Sequence, residues 1–572
     1  MRGLRIATLA LAGCAPVHAQ YVRPSTPLAG GVPGPASGLS IATSGGRVVA
    51  GWHNPENGHV YASSADGPNL PFSGPLVVDD ATPTIESVTE PSSCCSAGGT
   101  HFVLWRDEKP PLGAELFLDD EDGCELSMVD KGYPVGAGRV ETFGYDCVDK
   151  VPDPIHHFVL MQVDPTPALL QDDEAWFARS TDGGASFLPP VRLSPPGVDV
   201  DAIGLEADGD RVTAVWSDDR FGPVALFAAI SQDCGATFGS DIMLSLPSGA
   251  TAGVAEIAVE VRDTTVLVAW ESQGSGFGGA DTILAVVSDD GGLSFSPPAA
   301  LPVFSCDLCV DVGTLDVAIA AQSGSLLVSW ADDGLGTSFP AVAVSTDAGA
   351  TWATTALDSA GSAPLLLAAG APSDELVAYW TSAGTPARDL EARLSRDGGL
   401  SWTTILTVDD NAGDVDEPVA AYDATYGDFR FGWLADDPGE KVPYTGGFRP
   451  QTLTPVGWNP GSTLGRFDFS GFDPPAVPFP NAWALLSQSL GSMPLPGGLD
   501  AGIAADSLFA MTLDLAATGT LAAQIDGEGE GSTSFIPIPP TLVGTTLYAV
   551  GLEIDPFAGE IDNLTDVVPI TL

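Results

Sequence analysis

The stretch SRDGGLSW, Ser395–Trp402, is the last of five copies of one turn sequence. Upstream stand STDGGASF from Ser180, SQDCGATF from Ser231, SDDGGLSF from Ser288 and STDAGATW from Ser345. Successive copies begin 50 to 57 residues apart, and a fixed period of that length is the mark of a repeat architecture.

Each conserved place in the copy has a mechanical task in a tight hairpin. Ser180, Ser231, Ser288, Ser345 and Ser395, with Asp182, Asp233, Asp290, Asp347 and Asp397 two residues on, offer side-chain oxygens to turn amides. Gly184, Gly235, Gly292, Gly349 and Gly399 supply the positive φ that a Cβ penalises. The closing Phe187, Phe238, Phe295, Trp352 and Trp402 are large rings suited to the layer between neighbouring sheets. This is turn chemistry rather than catalytic chemistry.

Ahead of each copy runs an apolar strand ending in Trp, and these strands extend the repeat beyond the five turns. VVAGW ends at Trp52, FVLW at Trp105, VTAVW at Trp216, VLVAW at Trp270, LLVSW at Trp330, LVAYW at Trp380 and FRFGW at Trp433, while HFVLM at Met161 fills the remaining place. Eight units emerge, each reading as four short strands, and a worn turn is expected at Ser64-Ala65-Asp66-Gly67 in the first unit and near Asp122-Gly123 in the second. Four-stranded units repeated radially make an all-β propeller of seven or eight blades, which buries the sheet faces between blades and leaves short protected edges.

The five turns resemble the Asp-box, or BNR repeat, of the sialidase-like β-propellers. That resemblance implies the propeller fold and places any ligand site on the face away from the boxes. Boxes of this kind occur in enzymes and non-enzymes alike, so the resemblance implies fold more than activity.

The expected organisation is a signal peptide over 1–19, a linker over 20–37, the propeller over 38–456 and a small β-sandwich-like module over 457–572. In the last segment LFAMTLDLA near Leu508 and TTLYAVGLEIDP near Thr545 read as strands. The ending PPTLVGTTLYAVGLEIDPFAG resembles modules appended to large secreted bacterial proteins. At the other end Arg2 and Arg5 precede an apolar run, and Val17-His18-Ala19 offers small residues before a cut at Gln20. Leu11-Ala12-Gly13-Cys14 resembles a lipobox, so anchoring through Cys14 stands as the alternative to release. Export permits disulfides among Cys94, Cys95, Cys124, Cys147, Cys234, Cys306 and Cys309, with a local Cys306–Cys309 bridge preferred.

A formal charge of -54, from 75 acidic against 21 basic residues, excludes nucleic acid as a partner because no Lys and Arg cluster exists to neutralise phosphates. The acidity is spread over every repeat and reads first as a solvated surface. No motif requires a cofactor, though hard carboxylate oxygens are the ligands Ca²⁺ prefers. His53, His59, His101, His156 and His157 have no metal-ligand spacing.

Antiparallel connection puts the turn after the second strand and the turn after the third on opposite faces. The residues that follow each Trp therefore line the face away from the five turns. They are Arg106 and Asp107, then Asp218, Asp219 and Arg220, then Asp332 and Asp333, then Asp436. Such acids could accept bonds from sugar hydroxyls or Ca²⁺, or could simply cap hairpins.

The resemblance implies, for a sialidase, three arginines converging on a substrate carboxylate together with a Tyr–Glu pair and an acid. The family's Arg-Ile-Pro signature is absent, and Tyr21-Val22-Arg23-Pro24 is the nearest string. Arg47, Arg106, Arg220, Arg262, Arg388 and Arg430, with Tyr422, Tyr426 and Tyr444, cannot be assigned by motif. Two functions stand side by side: a non-catalytic propeller binding a glycan or other surface ligand, and an exo-acting glycosidase of sialidase type with a diverged catalytic set.

Overall fold

A computed structural model describes residues 20–28, 35–66, 72–78, 89–95, 101–109, 113–120, 125–128, 139–148, 154–165, 173–245, 254–272, 282–304, 315–332, 338–369, 373–384, 387–409, 413–425, 427–437, 440–450, 452–458, 464–470, 482–490, 503–517, 520–525, 530–538, 542, 545–555, 560–565 and 568–571. The chain divides into Pro24–Gly446 and a second unit of Met1–Arg23 with Gly447–Leu572.

The first unit is a β-propeller. Among the described residues it contains eight four-stranded antiparallel sheets, numbered here as blades 1 to 8 in chain order. Their first strands are Ser37–Ser44, Thr89–Cys95, Arg139–Val148, Val200–Asp208, Val254–Arg262, Asp316–Ile319, Leu365–Ala368 and Val415–Asp423. Each of these strands touches the next, and the last touches the first, so the inner strands close a ring. Every second strand carries one of the sequence markers: Trp52, Trp105, Met161, Trp216, Trp270, Trp330, Trp380 or Trp433. All seven of these indoles are buried, and deleting a ring of that size from a core costs about 3–5 kcal/mol.

The core is divided into layers between neighbouring sheets. Trp330 and Phe339 of blade 6 meet Leu267 and Ile283 of blade 5, and Phe158 and Phe177 of blade 3 meet Val212 and Ala214 of blade 4. The closing rings of the five turns, among them Phe238, Phe295 and Trp402, pack against these layers.

The last sheet is assembled from both ends of the propeller segment. Its order runs from Val415–Asp423 through Asp428–Asp437 and Glu440–Pro450 to Gln20–Pro27. The expected linker is thus a strand for much of its length. No local pattern could announce it, because its partner lies more than 400 residues away, and only the ring closure gives it an edge to join.

Blade 1 also moves the worn turn by one residue. Val48, four residues before Trp52, pairs with Ala65, and Val212, four before Trp216, pairs with Ser231. The place of the box serine is therefore held by Ala65 rather than Ser64, because register follows the buried Trp.

Among its described residues the second unit holds two antiparallel sheets and a helix around one core that includes Phe467, Phe469, Leu485, Phe509 and Val550. Thr546–Asp555 is a strand, as its alternation implies. LFAMTLDLA, however, lies in a helix, Ser507–Ala517. Leu508, Phe509, Thr512 and Ala516 are its buried residues, a spacing of three and four that suits a helix, and Asp506 Oδ1 accepts Phe509 N at 2.9 Å as an N-cap.

Candidate functional site

The five turns repeat one hydrogen-bond pattern and are filled by it. In blade 4 Ser231 Oγ donates to Asp233 Oδ1 at 2.8 Å and accepts Gly235 N at 2.8 Å, while Asp233 also accepts Thr237 N at 2.8 Å and Thr237 Oγ1 at 2.7 Å. The same bonds recur from Ser180, Ser288, Ser345 and Ser395. A main-chain bond also ties the turn to the hairpin between strands one and two of its own blade, as in Cys234 N to Asp210 O and Gly291 N to Thr264 O. These residues clamp the face they occupy.

On the opposite face the W-x-D segments prove to be built into the blades. Trp216 Nε1 donates to Asp218 Oδ2 at 2.9 Å, and Trp330 Nε1 donates to Asp332 Oδ2 at 3.0 Å. Both carboxylates are buried. Asp332 accepts Phe304 N as well, at 3.0 Å. A carboxylate two residues beyond the Trp faces the same side of the strand and satisfies an indole N–H that burial would otherwise orphan.

The arginines are committed in the same way. Arg220 bonds Asp218 through Nε at 2.9 Å, pairs with Asp241 and lies 3.6 Å above the Phe227 ring. Arg106 donates through Nη1 to Val140 O at 3.2 Å and to Glu141 O, joining blade 2 to blade 3. Arg47 pairs with Asp66, Arg388 with Asp416, and Arg430 with Asp428. Arg262 lies 3.8 Å from Glu260. Tyr444 stacks on Trp433, and Tyr422 lies against Phe429. The side chain of Asp107 and all of Asp333 and Tyr426 lie outside the described residues, as do the cut site at Ala19 and Cys14.

Among the described residues of this face, a group of carboxylates gathers at the junction of blades 3 and 4. Asp173 N donates to Asp199 Oδ1 at 3.3 Å, and Asp199 N donates to Asp219 Oδ1 at 3.0 Å. Burial, then the neighbouring Asp199, Asp219 and Asp173, raise the carboxyl of Asp201 above its ordinary range. Burial raises Asp173 too, against the bond from Gln162. In the turn after Asp219, Phe221 is 57% exposed, its ring 6.1 Å from that of Phe227. Asp436 of blade 8 is exposed and stands apart from this group. Among the described residues no group of His, Cys, Asp and Glu has the geometry to hold a metal ion.

A second set of carboxylates lies on the inner strands and was not singled out from the sequence. Asp146, Glu206 and Glu260 pair with Phe158, Thr213 and Leu267, each three residues before the Met161, Trp216 or Trp270 of its blade. They therefore occupy one level of three consecutive inner strands. Burial drives the carboxyl of Asp146 up to about 7 and that of Glu260 up to about 8, and raises Glu206 well above its ordinary range, with like charges adding to each. Asp316 on blade 6, also raised by burial, reaches about 6. A signal existed: Glu206 and Glu260 both stand ten residues before the blade's Trp.

Carboxylates also staple blade to blade. Asp146 Oδ2 accepts Ala207 N at 2.8 Å, Asp208 accepts Asp263 N at 2.6 Å, Glu256 accepts Leu315 N at 2.6 Å, Asp316 accepts Leu366 N at 2.8 Å, Asp414 accepts Arg388 N at 2.9 Å and Glu417 accepts Gly38 N at 2.7 Å. These bonds cross six junctions in turn, from blades 3 and 4 around to blades 8 and 1. Part of the acidity read as a solvated surface is thus structural.

No family model matches the chain, and no curated protein matches it. Solved structures similar to it include a protein of unknown function from Dyadobacter fermentans, at 12% identity and TM-score 0.36, covering 76% of this chain and 99% of that one. Others are the Hadza microbial sialidase Hz136, at 17% identity and TM-score 0.35 over 60% of this chain and 76% of that one, and the Dos1 propeller, at 10% identity and TM-score 0.43 over 75% and 95%. At these scores the likenesses carry no argument about a site, and the propeller assignment rests on the eight sheets themselves.

Proposed function

We propose that this chain is an exported, non-catalytic propeller that binds a glycan at the junction of blades 3 and 4. The observation that carries this reading is the exposed ring of Phe221 two residues beyond Asp219, whose carboxylate accepts Asp199 N, on the face opposite the clamping turns. A sugar presents an apolar C–H face and a rim of hydroxyls. A ring with carboxylates at its edge matches both, the ring by contact and the carboxylates as acceptors. The arginines named as candidates are spent on carboxylates of their own or the neighbouring blade, or on a neighbour's carbonyls, which argues against a converging clamp for an acidic sugar.

The same carboxylates suit Ca²⁺, and a cation bridging sugar hydroxyls to Asp199 and Asp219 is the form in which a metal would enter. Export is part of the proposal and rests on the leader-like amino terminus. Among the described residues no helix is long and apolar enough to cross a membrane. The raised carboxyls of Asp146, Glu206 and Glu260 favour a second reading, a glycosidase using one of them as acid.

Glycan-array binding of the purified chain, with and without EDTA, tests the first reading. Phe221→Ala should weaken binding about tenfold, and Asp201→Asn should weaken it without changing the melting temperature. Binding to no glycan, or binding indifferent to both substitutions, overturns it. Turnover on a fluorogenic glycoside panel that disappears in Glu260→Gln would establish the second reading in its place.

A further inference from the structure

The inner strands of blades 3, 4 and 5 approach closely because small residues stand where they meet. Gly144 and Gly204 occupy equivalent positions, each opposite the residue just before Met161 or Trp216. A Cβ on Gly144 would lie 3.1 Å from Leu205 Cβ, and one on Gly204 would lie 3.0 Å from Ile257 Cγ2 and Val259 Cγ2. Ala258 holds the corresponding place in blade 5. Two residues further along each strand, on the same side, come Asp146, Glu206 and Glu260. The feature that lets the strands close up also presses three carboxyls into one row.

Among the described residues the row has little to balance it. Asp208 on blade 4 and Asp316 on blade 6 add negative charge, and Arg262, 3.8 Å from Glu260, is the cation beside it. From the second strands, Arg211 lies against the turn glycine Gly291, and His157, buried beside Tyr145 Oη at 2.9 Å, is held neutral by burial. Asp146 cannot swing aside, since its two oxygens accept Ala207 N and Cys147 N. The side chains on the inner strand of blade 2 lie outside the described residues.

We propose that the row Asp146–Glu206–Glu260 is a proton-dependent joint: blades 3, 4 and 5 pack tightest while the row keeps its protons, and losing them on the alkaline side loosens that part of the ring. In an unfolded chain these carboxyls release protons near pH 4, whereas the folded ring holds those of Asp146 and Glu260 toward pH 7 to 8 and raises that of Glu206 as well. Between those limits the folded state binds more protons, so stability falls as pH rises and levels off once the row is ionised. General repulsion within an acidic protein gives the same sign but is screened by salt, while a row half-buried along three strands is screened less.

The test is the melting temperature of the full chain between about pH 5 and pH 9 in about 0.5 M NaCl, for the wild type and for Glu206→Gln/Glu260→Gln. The wild type should lose about 5 °C or more over that range, and the double variant should lose less than half as much. Infrared difference spectra should show a protonated-carboxyl band at about pH 6 that weakens in the variant. A variant that tracks the wild-type slope, or a wild type with no such band, overturns the proposal. Should the double variant fail to fold, Glu260→Gln alone with the wild-type band decides it on the same terms.

Discussion

Asp290 sits at the tip of the blade 5 turn in open water, accepting Ser294 N, Ser294 Oγ and Ser288 Oγ. Those bonds, led by the Ser294 hydroxyl, hold its carboxyl down to about 2. Asp146, on the inner strand of blade 3, also accepts backbone amides, yet burial carries it up to about 7 against their pull. One side chain, in one repeat fold, is thus kept charged at the rim and pushed toward neutrality at the axis. Hydrogen bonds decide where water already pays for the charge, and desolvation decides where it does not. The charge of -54 therefore conceals two populations with opposite responses to pH.

The strongest way to break the rim half of this comparison is steric. Gly399 has φ +89°, and a Cβ there would lie 2.5 Å from Leu327 Cδ2 on the neighbouring blade. Gly399→Ala should lower unfolding free energy in urea by about 2–4 kcal/mol, combining backbone strain with overpacking. A loss below about 0.5 kcal/mol would mean that the turn relaxes and does not clamp the blades. Next comes Ser231, whose buried Oγ both accepts Gly235 N and orients Asp233. Ser231→Ala should cost about 1–2 kcal/mol in the same measurement.

Opposite pH responses then sharpen the contrast. Asp233 is held at about 2, chiefly by the Thr237 hydroxyl, so its contribution is present above its unfolded pKa and is lost as pH falls from about 4 toward 2. Asp233→Asn should flatten the acid limb of the stability curve and leave the alkaline limb unchanged. Neutralising Glu260 should do the reverse. A stability maximum near pH 5 is the combined expectation, and a maximum at or above about pH 8 would show that the axial row is ionised throughout.

The rim was legible in the sequence because its chemistry is local. Ser231, Asp233, Gly235 and Phe238 lie within eight residues, and the bonds they make are mostly with each other. The second strands were legible for a related reason, since Trp marks a buried end in seven of eight units. The axis was not. Asp146 meets Ala207 and Glu206 across 60 residues, and an isolated acid in an alternating strand looks solvent-facing until the next blade covers it. W-x-D was legible as a pattern but not as a role, because only the fold reveals that Asp218 and Asp332 are buried against the indoles they serve. The helix Ser507–Ala517 escaped because its apolar run is short enough to suit a strand, and its cap, Asp506, is one ordinary acid among many.

The finest test of the clamp lies in the two turns that depart from Gly-Gly. Where three copies have Gly183, Gly291 or Gly398, the other two place Cys234 at φ 55° and Ala348 at φ 56°. A residue with a Cβ held in the left-handed region costs about 1–2 kcal/mol. Glycine removes that strain but gives back about 0.5–1 kcal/mol in unfolded-chain entropy. Ala348→Gly should therefore raise unfolding free energy by about 0.5 kcal/mol. Cys234→Gly should gain less, because it also gives up the contact of Sγ with Asp210 Oδ1 at 3.1 Å. If both variants are destabilised, the turn conformation is not strained at this position. The clamp would then owe its stability to the Ser–Asp bonds and the closing ring rather than to the glycines beside them.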